Sequence, residues 1–375
     1  MVKLIRSAKS TLESNDIKSV TQVLKREFLG MGPKVAEFEK ELKKNYKTNI
    51  ACVVNGTASI QLAIQAHGIG KNDEILVQSL TYLSTFQAIS ATGAKPISCE
   101  IDSNTLTIDL EDAHKRINKK TKAIILVHFA GGVGHLDACY KFAKENNLIV
   151  IEDAAHAFGT FYRGKLIGSF NSTASFSFDG IKNLTCGEGG CVMSKDKKII
   201  EKIKNLRLLG VEKKKISSKK NLIIKEFEVK EQGWRYHMSD IMASIGLSQY
   251  KRFNKIKKRR RDIAIYYDKK LSNLKDIAVL KNNYNEVVPF CYPIICTNKK
   301  IRNKIANNLA HNSVQVSYLY YPNHLLKKYK TYYKLNITEK VYNNSLLLPL
   351  HNSLTFSELN YVINIVLKSV NYDTW

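Results

Sequence analysis

The sequence predicts an α/β fold: a mainly parallel sheet flanked by helices, followed by a smaller α/β unit. Two observations carry this expectation. Seven short runs rich in β-branched residues, Ile50–Val54, Glu74–Gln78, Lys95–Glu100, Ala123–His128, Leu148–Glu152, Ala174–Phe178 and Cys191–Ser194, alternate with stretches of helical period. The runs are short and largely apolar, as expected of strands covered on both faces by intervening helices, and such sheets are mostly parallel.

In chain order, Thr11–Tyr46 carries Ile17, Val20, Val23 and Leu24, then Val35, Phe38 and Leu42, at helical spacing. A Gly-Met-Gly-Pro turn at Gly30–Pro33 divides it into two helices. Between the strands, Ser59–His67, Ser84–Thr92, Asp109–Ile117 and Asp137–Asn146 read as helices, so the sheet occupies about Ile50 to Leu209. The Lys-rich, Gly-poor segment Val211–Lys230 reads as an excursion, and Ser239–Leu271 as one long helical stretch. A second unit has its own strand-like runs, Val287–Cys296 and Gln315–Leu319, and a closing helix at Phe356–Val370. The expected division is residues 1–250, the initial helices and large domain, and residues 251–375, the small C-terminal domain.

Composition narrows the function. With 44% hydrophobic and 25% charged residues, the chain is in the ordinary globular range. No apolar run reaches the ~18–20 residues of a membrane span, and the first residues lack the apolar stretch of a signal peptide, so no membrane association and a cytoplasmic location are expected. Seven scattered cysteines, none spaced CxxC, read as reduced thiols rather than a disulfide framework or a zinc site, and no metal is expected. Lys and Arg number 59 against 33 Asp and Glu, a formal charge of +26. Of these basic residues 48 are Lys and 11 Arg. Arg dominates base and phosphate recognition, so a diffuse Lys surplus argues against nucleic acid as the partner. Two local runs, Glu212–Lys220 and Lys251–Arg261, read as a solvated loop and a solvated helix face.

In open α/β sheets, ligands sit beyond the carboxyl ends of the strands, and three segments there could carry chemistry. Asn55-Gly56-Thr57-Ala58-Ser59 opens a helix after the first strand. Small residues and the helix dipole suit a phosphate, although the same turn could simply be a helix cap. The run ending Glu152-Asp153-Ala154-Ala155-His156 places an acid at a strand end, where it could cap a helix, bind a metal or meet a cationic heterocycle. Lys182 lies between the apolar run Ala174–Phe178 and the Gly-rich Gly187–Gly190. Desolvation there would make it a nucleophilic amine; snorkelling from a strand end is the alternative. A phosphate cradle, a carboxylate and an amine together are what pyridoxal phosphate (PLP) requires.

With these residues in place, the chain resembles the DegT/DnrJ/EryC1/StrS family of PLP-dependent nucleotide-sugar aminotransferases. The resemblance runs nearly end to end: Leu29–Glu39, Asn55–Ala58, Thr121–Ile125 before Val127-His128, Glu152–His156, Lys182-Asn183 with Gly187–Gly190, and Gly233–Asp240. It implies an aspartate-aminotransferase-like fold (PLP fold type I) with a mainly parallel seven-stranded sheet. It implies Lys182 as the residue that holds PLP and then moves the proton, and Asp153 as the partner of the pyridine nitrogen. Tyr82 would stack on the ring and His156 lie beside it, with an ordinary helix-start aromatic and a plain helix residue as the alternatives. Gly56, Thr57, the Ala58 backbone and Ser177 would bind the phosphate. Arg235 stands where many relatives have Asn and would reach a phosphate across a homodimer interface, or serve the substrate. Lys34, Tyr318 and His324 are expected near the substrate, and Asp179 is given no role.

The reaction so implied passes the amino group of L-glutamate to a nucleotide-diphosphate sugar, expected to be dTDP-linked with a 4-keto-6-deoxy hexose. The product is an amino sugar for O-antigen, lipopolysaccharide or another glycan. The alternatives are amination at C3 and PLP-dependent sugar dehydration, the latter disfavoured because Lys rather than His occupies position 182. A nucleic-acid-binding protein is the remote alternative.

Overall fold

The computed structural model describes residues 4–219 and 222–370. Helices α1 (Ser14–Leu24) and α2 (Pro33–Tyr46) precede an alternating series. It runs β1 (Asn49–Val53), α3 (Gly56–Ala66), β2 (Glu74–Gln78), α4 (Leu83–Ala91), β3 (Lys95–Cys99), α5 (Leu110–His114), β4 (Thr121–Val127), α6 (Leu136–Glu145) and β5 (Ile149–Asp153). A small hairpin, β6 (Phe161–Tyr162) and β7 (Lys165–Leu166), leads to β8 (Thr173–Ser177), β9 (Gly190–Ser194) and α7 (Lys197–Leu206). Next come the hairpin β10 (Val211–Lys219) and β11 (Leu222–Val229), then α8 (Asp240–Lys251) and α9 (Phe253–Leu271). The remainder is β12 (Ile277–Val279), β13 (Tyr292–Cys296), α10 (Lys299–His311), α11 (Asn336–Asn344), β14 (Ser345–Leu348) and α12 (Phe356–Ser369).

The expected seven strands form one sheet in the order β1-β9-β8-β5-β4-β2-β3. Only β9 runs antiparallel to its neighbours; β8, β5, β4, β2 and β3 pair in parallel. Successive residues on a strand face opposite sides, so each strand divides its side chains between two cores. Ile50, Cys52, Leu76, Ile124 and Leu126 pack with α2 and α6. Ala51, Val53, Ile75, Val77, Ala123, Ile125, Val127 and Ile151 pack with α3, α4 and α7. A separate apolar cluster joins α9, α10 and α12 to β12–β14, and Ile5 from the chain start belongs to it.

Several expectations need correction. Val211–Lys230 contains a two-stranded antiparallel hairpin, with a register irregularity between Lys213 and Lys215; residue 220 of the basic run lies outside the described residues. Ser239–Leu271 is two helices, because Arg252 leaves helical geometry (φ −108, ψ 13). Its guanidinium instead pairs with Asp16 and Glu13, at 2.5 and 3.2 Å. Gln315–Leu319 forms no strand and contributes a single bridge from Ser317 to Leu347, and Val287–Cys296 is strand only from Tyr292. Lys251–Arg261 is not merely a solvated face, since Arg260 is buried. The cysteines are all free, and only Cys291 is less than fully buried.

The entry to α2 shows how distant segments are tied. Gly32 offers no side chain to cap the helix, and Asp240 from the first turn of α8 does so. Its carboxylate accepts from the main-chain N–H groups of Gly32, Lys34 and Val35 at 2.9, 3.1 and 3.0 Å. Removing it leaves three donors without a partner at the positive end of a helix dipole. Asp240→Ala should lower the unfolding free energy by about 2–4 kcal/mol and Asp240→Asn by about half as much, read from urea melts of the cofactor-free protein.

Candidate active site

At the carboxyl edge of the sheet, the ends of β1, β2, β5 and β8 and the start of β9 surround a cleft of about 560 Å³. Gly56, Thr57, Tyr82, Asp153, His156, Ser177 and Lys182 all line it. Asn55 caps α3, its Oδ1 accepting from the Ala58 N–H at 2.8 Å. That donor is therefore already engaged, and Ala58 is buried behind the lining. Close approach explains two glycines: a Cβ on Gly56 would sit 2.7 Å from the Ser177 Cβ, and one on Gly190 would sit 2.6 Å from the Asn55 carbonyl oxygen.

Asp153 ends β5 on the face that packs against α4. Its Oδ2 accepts from the Thr85 hydroxyl at 2.7 Å and its Oδ1 from the Ala155 N–H at 3.2 Å. Burial raises its pKa, while Thr85, Ala155 and the charge of Lys182 pull it down without cancelling that effect. Its neighbour Glu152 points to the other face. There it accepts from His128 Nε2 at 2.6 Å, from Tyr140 at 2.6 Å and from the Ser172 hydroxyl. Burial works to raise this carboxyl too, but the His128 contact and the two hydroxyls outweigh it, and Glu152 titrates below the ordinary carboxylate range.

Lys182 follows β8 on a loop turned by the Asp179 carbonyl, which accepts the Lys182 N–H. Its Nζ lies 4.2 Å from the centre of the Phe290 ring. Burial lowers the amine to about 8, opposed chiefly by Asp153 and Asp179. The same Phe290 ring stacks on His156 at 4.1 Å and 16°. The His156 Nε2 lies 3.2 Å from the Tyr320 hydroxyl, and its buried Nδ1 has no partner. Burial and then Lys182 hold His156 well below its ordinary pKa, so it is neutral. Tyr82 is 58% exposed at the mouth, its ring 5.3 Å from that of Tyr320.

The remaining expected residues lie outside this lining. Arg235 is exposed and bridges Leu208. Lys34 pairs with Glu37 at 2.6 Å. Tyr318 lies under the Arg302 guanidinium at 4.1 Å. His324 is buried against Ser79 at 2.8 Å and Glu339 at 3.3 Å. Conversely, Thr85 and Phe290 are not expected from the sequence, whereas Glu188 falls within the Gly187–Gly190 motif. Tyr320 sits in an aromatic-rich segment, Tyr318–His324, but Thr85 and Phe290 carry no local signal. The donor set matches PLP chemically: a deprotonatable amine for its aldehyde, a buried acid for its ring nitrogen, an unpartnered imidazole nitrogen, and hydroxyls with small residues for its phosphate. No group of three or more metal-ligating side chains occurs among the described residues.

Comparison with known proteins agrees with this chemistry. Residues 10–367 match the DegT/DnrJ/EryC1/StrS aminotransferase family. The chain is 32% identical to GDP-perosamine synthase of Escherichia coli O157:H7 over 334 residues, 88% of each chain. It is 29% identical to dTDP-4-dehydro-2,3,6-trideoxy-D-glucose 4-aminotransferase of Saccharopolyspora spinosa over 369 residues, covering 96% of this chain and 95% of that one. Among solved structures, the PLP and PMP forms of Spr1654, a sugar-aminotransferase candidate from Streptococcus pneumoniae, superpose with TM-score 0.89 at 27% identity over 98% of both chains.

Because the amine must lose its proton to attack an aldehyde, capture of PLP by the cofactor-free protein should accelerate with pH, roughly tenfold per unit, and level off above about 8. Stopped-flow absorbance of the visible band checks this, and Lys182→Ala should acquire no such band.

Proposed function

The chain belongs to the DegT/DnrJ/EryC1/StrS aminotransferase family and is a PLP-dependent sugar aminotransferase; on that premise we propose that it moves an amino group from L-glutamate to C4 of a nucleotide-linked 4-keto-6-deoxy sugar. The placement of Lys182 and Asp153 in one cleft with the Gly56–Ser177 cradle supports the aminotransfer, and the 4-aminotransferase among the relatives supports C4. The named relatives include enzymes of GDP-linked and dTDP-linked sugars. A dTDP-linked substrate, and an amino-sugar product for O-antigen, lipopolysaccharide or a similar glycan, complete the proposal.

When bound, PLP supplies an electron sink that stabilises negative charge on the carbon losing its proton. This chain's residues do the rest. Lys182 would hold the cofactor through Nζ, and the same amine, when free, would carry the proton to and from the substrate carbon. An amine with a pKa near 8 can do both, because about a tenth of it is unprotonated at neutral pH, far more than of an ordinary lysine. Asp153 keeps the ring nitrogen protonated, and Thr85 and Ala155 hold its oxygens in place. A cationic ring nitrogen lowers the Asp153 pKa in return, so the two charges stabilise each other in a site poor in water. Neutral His156, stacked on Phe290, lines one side of the site, and Tyr82, exposed at the mouth, would stack on the bound ring. Thr57, Ser177 and the start of α3 take the phosphate, aided by the helix dipole.

We further propose a homodimer with its sites at the interface. Arg235, Lys34 and Tyr318, which lie outside this chain's own cleft lining, are assigned to a diphosphate at the rim or in the partner's site; His324, whose two ring nitrogens are engaged by Ser79 and Glu339 in the interior, is not. The proposed division into residues 1–250 and 251–375 follows the break between α8 and α9 at Arg252. Among the described residues no helix is long and apolar enough to cross a membrane.

L-glutamate should convert the PLP absorbance of the holoenzyme to that of pyridoxamine phosphate. Of a panel of dTDP-, UDP- and GDP-linked keto sugars, a 4-keto-6-deoxy compound should restore the PLP band, with one glutamate consumed per turnover. Restoration by 3-keto sugars alone would move the amination to C3. Formation of a deoxysugar without glutamate consumption would make the protein a dehydratase.

A further inference from the structure

The basic run at the start of α9 contains an anomaly. Arg260 is only 2% exposed, yet among the described residues no carboxylate pairs with it. Its Nε is buried without a hydrogen-bond partner. A buried guanidinium without a counter-ion is costly, and a sequence retains one only where its hydrogen bonds or its charge are needed. The remaining nitrogens show what it holds. Nη1 donates to the carbonyls of Phe290 and Leu350 at 3.3 and 3.4 Å, and Nη2 to the carbonyl of Ile181 at 3.3 Å.

Those three carbonyls come from three separate segments. Ile181 immediately precedes Lys182 on the loop after β8. Phe290, just before β13, supplies the ring beneath the Lys182 amine and beside His156. Leu350 follows β14 and belongs to the C-terminal apolar cluster. One planar fork thus fixes the backbone of the amine-bearing residue and the backbone of the ring under it relative to the C-terminal unit.

We propose that Arg260 is a positioning residue for Lys182: its guanidinium clamps the loop carrying the amine to the Phe290 segment, and its uncompensated charge disfavours a second cation beside it. The inference rests on the reading of Lys182 as the amine that holds PLP. The groups facing Lys182 are Asp153, Asp179, Cys291, His156 and Arg260. Those facing Arg260 are Lys182, Cys291, His351 and, across a small pocket, Lys9. The two carboxylates favour the ammonium form of Lys182; burial is the chief effect opposing them, and the Arg260 charge adds to it.

Clamp and charge separate by substitution. Arg260→Gln removes the cation, whereas Arg260→Lys keeps it but replaces a planar fork by a point donor. Arg302→Gln, a buried arginine of α10 that stacks on Tyr318 outside the cleft, controls for the general loss of a buried arginine. The readouts are the pH midpoint for PLP capture and steady-state kcat and KM with L-glutamate. Arg260→Gln should raise the midpoint by about half a unit or more, while Arg260→Lys and Arg302→Gln leave it in place. Arg260→Lys should lower kcat roughly tenfold with little change in KM, because the amine is misplaced while the donor still binds. A wild-type midpoint in Arg260→Gln, or an equal rise in Arg302→Gln, overturns the electrostatic part; wild-type kcat in Arg260→Lys overturns the clamp. If Arg260→Gln does not fold, the kcat of Arg260→Lys alone decides for or against the clamp. A wild-type protein that forms no band with PLP refutes the reading of Lys182 itself, an outcome distinct from these.

Discussion

Two adjacent carboxylates at the end of β5, both buried and facing opposite sides of the sheet, set the terms for the rest of the molecule. Strand geometry forces Glu152 and Asp153 apart, and neither core tolerates an unpartnered acid. On one side Glu152 is met by His128, Tyr140 and Ser172. On the other, Asp153 is met by Thr85 and the Ala155 N–H. Because His128 lies just beyond β4 and Tyr140 on α6, the Glu152 contacts lock the carboxyl ends of the two central strands in register. Asp153 is thereby held at the floor of the cleft by structure it does not itself provide.

The second half of the site is built by desolvation. Lys182 and Arg260 are two cations in a largely apolar setting, one on the sheet edge and one on α9, and Phe290 lies between their two sets of contacts. In water such amines are protonated and unreactive; enclosed here, Lys182 sits near 8. The cleft therefore sets an acid whose pKa is pushed up beside an amine whose pKa is pushed down. A cofactor that consumes the amine and offers a cation to the acid relieves both strains together.

Much of this was legible in the sequence because it depends on local pattern. The seven apolar runs became the seven strands of one sheet, and three of them, with the segments that follow, supplied Gly56, Thr57, Asp153, His156, Ser177 and Lys182 to one cleft. What escaped depends on distant partners. The break at Arg252 is marked by no Pro or Gly; the residue there pairs with Asp16 and Glu13, more than 200 positions away. The β10–β11 hairpin has too many lysines in its first strand to show a strand pattern. Phe290 and Thr85 look like ordinary core and helix residues until the fold brings them to His156 and Asp153. Arg260 was concealed within a run of cations whose other members reach solvent more readily.

The most direct measurement is the 15N chemical shift of PLP labelled at its pyridine nitrogen, bound to wild-type protein and to Asp153→Asn. A protonated, upfield nitrogen in the wild type that moves toward the neutral pyridine value in Asp153→Asn is the expected result. A neutral nitrogen in the wild type, or a protonated one unaffected by the substitution, would contradict the role of the buried carboxylate.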